Sequence, residues 1–170
     1  MYRRIRTFAA AIALILGGCA ASISAAPTAI VDRSSVGTVA LMPGGGVLAD
    51  AVGVEIANRG FRVVDAQATT SLMARLNLNE FDVSMPAGLA QLKANGIDAV
   101  LIVRAVGGYD QRPESASARL QSTADGTLIS GANWQNGRAG AQGSVADSMA
   151  RVGLTGAARQ IAGGLTRNIR

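Results

Sequence analysis

The chain has no histidine, a single cysteine, and only three Phe, two Tyr and one Trp among 170 residues. Without histidine, no side chain titrates near neutral pH at its ordinary pKa, which excludes His-based acid–base catalysis and the commonest zinc ligand sets. The lone cysteine, Cys19, has no partner for an intramolecular disulfide. Stability must therefore come from packing, even in an oxidising compartment. Long hydrophobic runs are missing too: the apolar stretch over 8–16 is about half the roughly 20 residues needed to cross a bilayer, and the body beyond it has no long apolar run. This excludes a permanent helical anchor and predicts a soluble body.

What is present begins with the basic start Met1-Tyr2-Arg3-Arg4-Ile5-Arg6, continues through that apolar run, and reaches Leu16-Gly17-Gly18-Cys19. A charged start, a short apolar segment and small residues before a cut mark a secretory signal peptide. The segment resembles the bacterial lipoprotein signal, whose lipobox is a Leu, two small residues and an obligatory Cys; Gly17 stands where Ala, Ser or Thr is commoner. The resemblance implies cleavage before Cys19 and acylation of that residue, which also removes it as a nucleophile. Two or three acyl chains hold a protein on a membrane where one would not. Cleavage without lipidation, at the small residues 20–22 or 24–26, is the competing reading. Ala20, in place of the Asp that resembles an inner-membrane retention signal, points to the periplasmic face of the outer membrane.

Removing residues 1–18 takes away three arginines and no acid, leaving 13 basic against 11 acidic residues, so the net charge falls from +5 to +2. The remaining excess lies late in the chain, where Arg138, Arg151, Arg159, Arg167 and Arg170 face only Asp147. Such a cluster suits phosphate or lipid headgroups, but basic residues late in a terminal helix also oppose its dipole. The dipole reading is preferred, and nothing else suggests nucleic acid. About 150 mature residues suit one domain with one core.

Residues 1–18 are thus expected to be the signal peptide, 19–35 the acylated N-terminus and a flexible Ala/Ser-rich tether containing Pro27, and 36–170 a single periplasmic domain. Within it, 39–42 reads as a buried strand closed by Pro43-Gly44-Gly45-Gly46, 47–60 as a helix stopped by Gly60, and 61–64 as a second strand. Helices are predicted over 69–78 and after Pro86, stopped by Asn95-Gly96. Residues 97–106 are the most apolar part of the body and should form the central strand, covered on both faces. Two extended runs follow, 115–123 and 127–135, joined at Asp125-Gly126, a strong hairpin signal. Finally Val145, Met149, Val152, Ile161, Leu165 and Ile169 recur at helical spacings or their multiples, predicting an amphipathic terminal helix interrupted by glycines. The element order predicts a three-layer α/β domain with a mixed sheet that starts in crossover units and ends in an antiparallel hairpin.

Gly44-x-Gly46-x-x-Ala49 between a strand and a helix, with Asp65 ending the next strand, satisfies the spacing of a dinucleotide fingerprint. Pro43 at the turn, the lack of a second mononucleotide half and an exported location argue instead that the glycines serve a sharp strand-to-helix turn. A nucleotide-binding, Rossmann-like protein is therefore a minor reading, and no cofactor or metal is expected. Ser34-Ser35, Asp110, Glu114 and Asp147 form no motif that demands catalysis and are read as solvated loop residues. Trp134 is the strongest candidate for a partner-facing residue, although a core position under the sheet suits it at least as well, and Arg138 is a second interface candidate.

Several stretches together resemble the superfamily of the curli-secretion channel lipoprotein, the Pel-polysaccharide export lipoprotein and the lipoprotein activators of penicillin-binding proteins. They are Val39-Ala40-Leu41-Met42-Pro43, Arg59-Gly60-Phe61-Arg62-Val63-Val64-Asp65, Gly96-Ile97-Asp98-Ala99-Val100-Leu101-Ile102, and Arg119-Leu120 through Asp125-Gly126-Thr127-Leu128-Ile129-Ser130 to Trp134. The resemblance covers about 38–165. It implies an anticodon-binding-domain-like fold, no catalytic residues, and action by homo-oligomerisation or by docking onto an envelope protein partner. Curli channels need long inserted hairpins, for which no gap here is long enough, and the activators usually carry long tethers. The Pel-type pattern is the better match, implying a ring-forming or accessory subunit of outer-membrane export or assembly; an activator or adaptor of a peptidoglycan synthase is the alternative.

Overall fold

The two most apolar segments of the body lie side by side at the centre of the structure. The computed structural model describes residues 20–25, 30–108 and 110–170; the expected signal peptide, Cys19 and Pro27 lie outside them. Strand β1 is Ser22–Ala25, β2 Thr38–Leu41, β3 Arg62–Val64, β4 Ala99–Gly107, β5 Pro113–Ser122 and β6 Leu128–Gln135. They form one mixed sheet in the order β1-β6-β5-β4-β2-β3. β2 pairs in parallel with β3 and with β4, placing Val39 opposite Ala99 and Leu41 opposite Leu101, while β4, β5, β6 and β1 are successively antiparallel. The expected α/β class, crossover start and hairpin at Asp125-Gly126 are all present.

Helix α1 is Gly46–Ala57, α2 Ala66–Arg75, α3 Pro86–Ala94, α4 Val145–Ala150 and α5 Leu154–Thr166. Gly60 and Gly96 follow α1 and α3 as predicted, and Pro86 opens α3 at a position where its missing N–H costs no hydrogen bond. Helices α1 and α5 bury Val52, Ile56, Ile161 and Leu165 against Leu41, Leu101, Leu120 and Trp134, forming the larger core. On the opposite face, α2 and α3 bury Leu72, Met73, Leu89 and Leu92 against Ala40, Met42 and Val100. The same strands carry both cores because successive side chains point to opposite faces.

Three sequence expectations are corrected. The tether expected over 19–35 is interrupted at Ser22–Ala25, which adds an edge strand by pairing Ser22 with Gln135 and Ala25 with Ala132. The physical reason is that β6 would otherwise present an open edge, and Ile23 packs on the larger core. Residues Arg33–Val36 also form a short 3-10 turn, capped by Asp32, which accepts from Ser34 N at 2.8 Å. The terminal helix is two helices, broken where Arg151 takes an extended ψ of 130° and Val152 N donates to Asn136 Oδ1 at 2.7 Å. Val145 and Met149 consequently face solvent instead of the core. Coverage of β4 on both faces holds only to Val103; Arg104 to Gly107 are exposed.

Candidate functional site

The pairing directions bring the C-terminal ends of β2, β4 and β6 and the N-terminal ends of β5 and β1 to one end of the sheet. Here residues 108 and 110–112 meet the segment 136–153, and a charged cluster fills the junction. Arg151 is its centre, with a side chain only 2% exposed. Its Nε and Nη2 donate to Asp110 Oδ2 at 2.9 Å and Oδ1 at 3.2 Å, a bidentate pair, while Nη1 reaches Glu114 Oε2 at 2.8 Å. Arg138 Nε donates to Glu114 Oε1 at 3.0 Å from the solvent side. Arg112 Nη1 donates to the carbonyls of Ser148 at 3.0 Å and Arg151 at 3.1 Å, tying α4 to the connection.

Local sequence explains the geometry. Gly108 N donates to Arg112 O at 2.7 Å, and a Cβ at Gly108 would collide with Arg151 Nη2, so only glycine lets the guanidinium pass. Asn136 is buried and uses both ends of its amide: Nδ2 donates to Pro113 O at 2.6 Å and Val152 O at 3.0 Å, and Oδ1 accepts from Gly137 N and Val152 N. One side chain thereby fixes the start of β5 to the break between α4 and α5. Asp147, also buried, accepts from Gly143 N at 3.1 Å. Beside the cluster lies a cleft of about 380 Å³ lined by Gly107, Glu114, Arg138, Gln142 and Arg151, among others.

The electrostatics assign this cluster a structural character. Burial pushes the Asp110 carboxyl up, but hydrogen bonds from Arg151 and from Arg112 N outweigh it and leave the pKa below the ordinary value. Hydrogen bonds from Arg138 and then Arg151 hold Glu114 low as well. Burial opposes the charge on Arg151, yet its two carboxylates more than compensate and strengthen its hold on the proton. Both acids are therefore ionised and paired at neutral pH, with neither raised toward the range a general acid requires. Asp110, Glu114 and Asp147 are consequently not the solvated loop residues expected from sequence. Ser34 and Ser35 lie elsewhere, in the 3-10 turn with Asp32.

The remaining candidates are dispersed. Gly44 and Gly46 adopt φ of 85° and 59° in the turn from β2 into α1, and a Cβ at Gly45 would meet Ala49 and the Val103 carbonyl. Asp65 accepts from Ala68 N at 2.7 Å as the N-cap of α2. The fingerprint residues thus serve a tight turn and a helix cap. Trp134 is corrected from partner-facing to core: it is 2% exposed, and its Nε1 donates to Gln160 Oε1 at 2.6 Å. Arg138 does stand at the surface, paired with Glu114. Of the late arginines, Arg138 lies in a loop, Arg151 at the helix break and Arg159 within α5, 3.7 Å from Glu55, so only Arg167, the C-cap of α5, and Arg170 beyond it stand where the helix dipole favours them. Among the described residues, no group of three or more Asp, Glu, Cys or His is placed to hold a metal, and no helix is long and apolar enough to cross a membrane.

No family model matches the sequence, and no curated protein matches it in sequence. Comparison with solved structures finds a similar α/β fold in one of them and weaker likenesses in others. A chain of the PelC dodecamer from Paraburkholderia phytofirmans has a TM-score of 0.51 and 16% identity, covering 88% of this chain and 99% of that one. Lipoprotein GNA1162 from Neisseria meningitidis gives 0.46 at 18% identity, covering 66% of this chain and 90% of that one. The LpoB C-terminal domain from Escherichia coli gives 0.42 at 19% identity, covering 74% of this chain and 92% of that one. At these identities the likeness is one of fold, and it extends over almost the whole PelC chain.

Proposed function

We propose that the chain is a non-enzymatic lipoprotein, acylated at Cys19 and held at the periplasmic face of the outer membrane, that acts as a ring-forming or accessory subunit of export or assembly machinery. The observation that carries this reading is the fold shared over 99% of a chain that assembles as a dodecamer, joined to the lipobox Leu16-Gly17-Gly18-Cys19. Fold alone does not assign function; the lipobox supports the location, and the shared fold is consistent with a ring-forming mode of action. The anticodon-binding-domain-like arrangement of sheet and helices belongs to the same proposal. The paired, ionised state of Asp110 and Glu114 and the absence of histidine support a scaffold in place of a catalyst.

Two measurements on the full chain purified from membranes test the reading. Mass spectrometry should find a triacylated or diacylated N-terminal cysteine; an unmodified peptide beginning beyond Cys19 defeats the anchor. Light scattering in mild detergent should give a mass several times that of the monomer. A strict monomer at tens of micromolar defeats the ring and leaves an adaptor.

A further inference from the structure

Strands β5, β6 and β1 have α5 on one face, and among the described residues no helix covers the other. The open face carries Ser115, Ser117, Arg119, Gly131, Asn133 and Gln135, aligned by the β5–β6 register. None of these is β-branched or aromatic, the types that strands favour, so the backbone of this platform lies close to the surface. Its charges are Arg119 and, on β4 opposite Ser117, Arg104; no acid shares the face. Among the described residues, neither arginine makes a side-chain hydrogen bond or an ion pair. Leu128, 47% exposed, leans over Gly131, where a Cβ would lie 3.8 Å from its Cδ2.

The complementary surface lies on the other side of the molecule. Helix α1 packs on the larger core through Leu48, Val52 and Ile56, and Val47, Asp50 and Val54 form its outward stripe at helical spacing. The two valines are 69% and 61% exposed, and Asp50 makes no side-chain hydrogen bond or ion pair among the described residues. We propose that the open platform of one copy is covered by α1 of the next, with Asp50 meeting Arg119 and Val54 meeting Leu128; the proposal rests on the ring-forming reading above. Two different surfaces of one chain that meet head to tail close into a ring when the rotation allows. Copies arranged around an axis along the strands keep each residue at its own height, so the two surfaces must match level by level. Gly45 stands beside Val103, whose carbonyl oxygen would lie 3.0 Å from a Cβ at 45. From there α1 runs back along the strands, which sets Asp50 about 7 Å lower, near Ile102, and Val54 about 13 Å lower, near Val100. Arg119 lies opposite Ile102, and Gln121, opposite Val100, pairs with Leu128. Width fits as well, since three strands span roughly 15 Å and a helix with its side chains about 10 Å. The contact gives this half of the sheet the second helical layer that α2 and α3 give the other half.

The test uses the full chain in mild detergent, with Val54→Cys and Leu128→Cys introduced singly and together and treated with a short bismaleimide. The double variant should give a ladder of covalent dimers, trimers and larger products, whereas the two single variants expressed together should stop at dimers. Either single variant alone should match the unaltered chain, which reads any link made through Cys19. Asp50→Arg and Arg119→Asp should each weaken assembly about tenfold or more in light scattering. The combined exchange should restore assembly, which a folding defect would not allow. An oligomer that ignores both charge changes and gives no ladder overturns this contact and leaves the ring reading in place. Self-linking of either single variant overturns it too, because that marks a two-fold contact. A strict monomer of the unaltered chain overturns the ring reading, and the contact with it.

Discussion

On the β3–β2–β4 side, helices cover both faces of the sheet, whereas on the β5–β6–β1 side only one face is covered. The sequences differ accordingly. Val39, Ala40 and Leu41 are buried in succession, as are Ala99, Val100 and Leu101. In β5, Ala116, Ala118 and Leu120 point into the larger core while Ser117 and Arg119 point away from it. Strand β4 crosses from one regime to the other, changing from apolar to exposed after Val103. An apolar run in such a sheet reports local helix coverage, strand by strand and even within one strand.

The sharpest way to break this comparison is to empty each core in turn. Trp134→Ala should cost about 3–5 kcal/mol and Leu92→Ala about 2–4 kcal/mol, read by urea unfolding. Their local effects should differ: native-state hydrogen exchange in Leu92→Ala should quicken in α2 and α3 while β5 and β6 stay protected. Uniform quickening would show that the smaller core has no independence.

Acid should weaken the charged cluster around Arg151. The folded pKa values of Asp110 and Glu114 lie below their unfolded ones, so unfolding takes up protons. Their contribution is present above the ordinary carboxylate pKa and lost as pH falls through the folded values. Stability should therefore drop as pH falls below the ordinary carboxylate range. Arg151→Met should lower stability at neutral pH and flatten that drop; an unchanged acid profile would remove the cluster from this role. The smallest effect concerns orphaned hydroxyls. Ser130 Oγ beneath the larger core and Thr69 Oγ1 beside the smaller one are buried without a hydrogen-bond partner. Ser130→Ala and Thr69→Val should each stabilise by about 1 kcal/mol in thermal unfolding; destabilisation at either site would mean that its hydroxyl has a partner in solution.

Where neighbours in sequence are also neighbours in space, the chain is legible. The strand before Pro43, the helices stopped by Gly60 and Gly96, the apolar 97–103 segment and the Asp125-Gly126 hairpin all follow from local periodicity and turn chemistry. Strand β1 is not legible, because Ser22-Ile23-Ser24-Ala25 carries one large apolar residue and acquires its strand character from β6, more than 100 residues away. The break between α4 and α5 is equally hidden. Val145, Met149 and Val152 continue a helical spacing, yet bonds from Asn136 and the two carboxylates on Arg151 turn the chain out of the helix.

By itself the sequence determined the α/β class, the order of elements from β2 to β6 and the absence of histidine chemistry, since these depend on composition and short-range pattern. Only the tertiary structure decided that Arg151 is a buried charge between Asp110 and Glu114, that Trp134 belongs to the core, and that Ser22–Ala25 forms a strand against β6. Each joins groups separated by tens of residues or more, and no local spacing rule encodes a contact made by sheet pairing and helix packing.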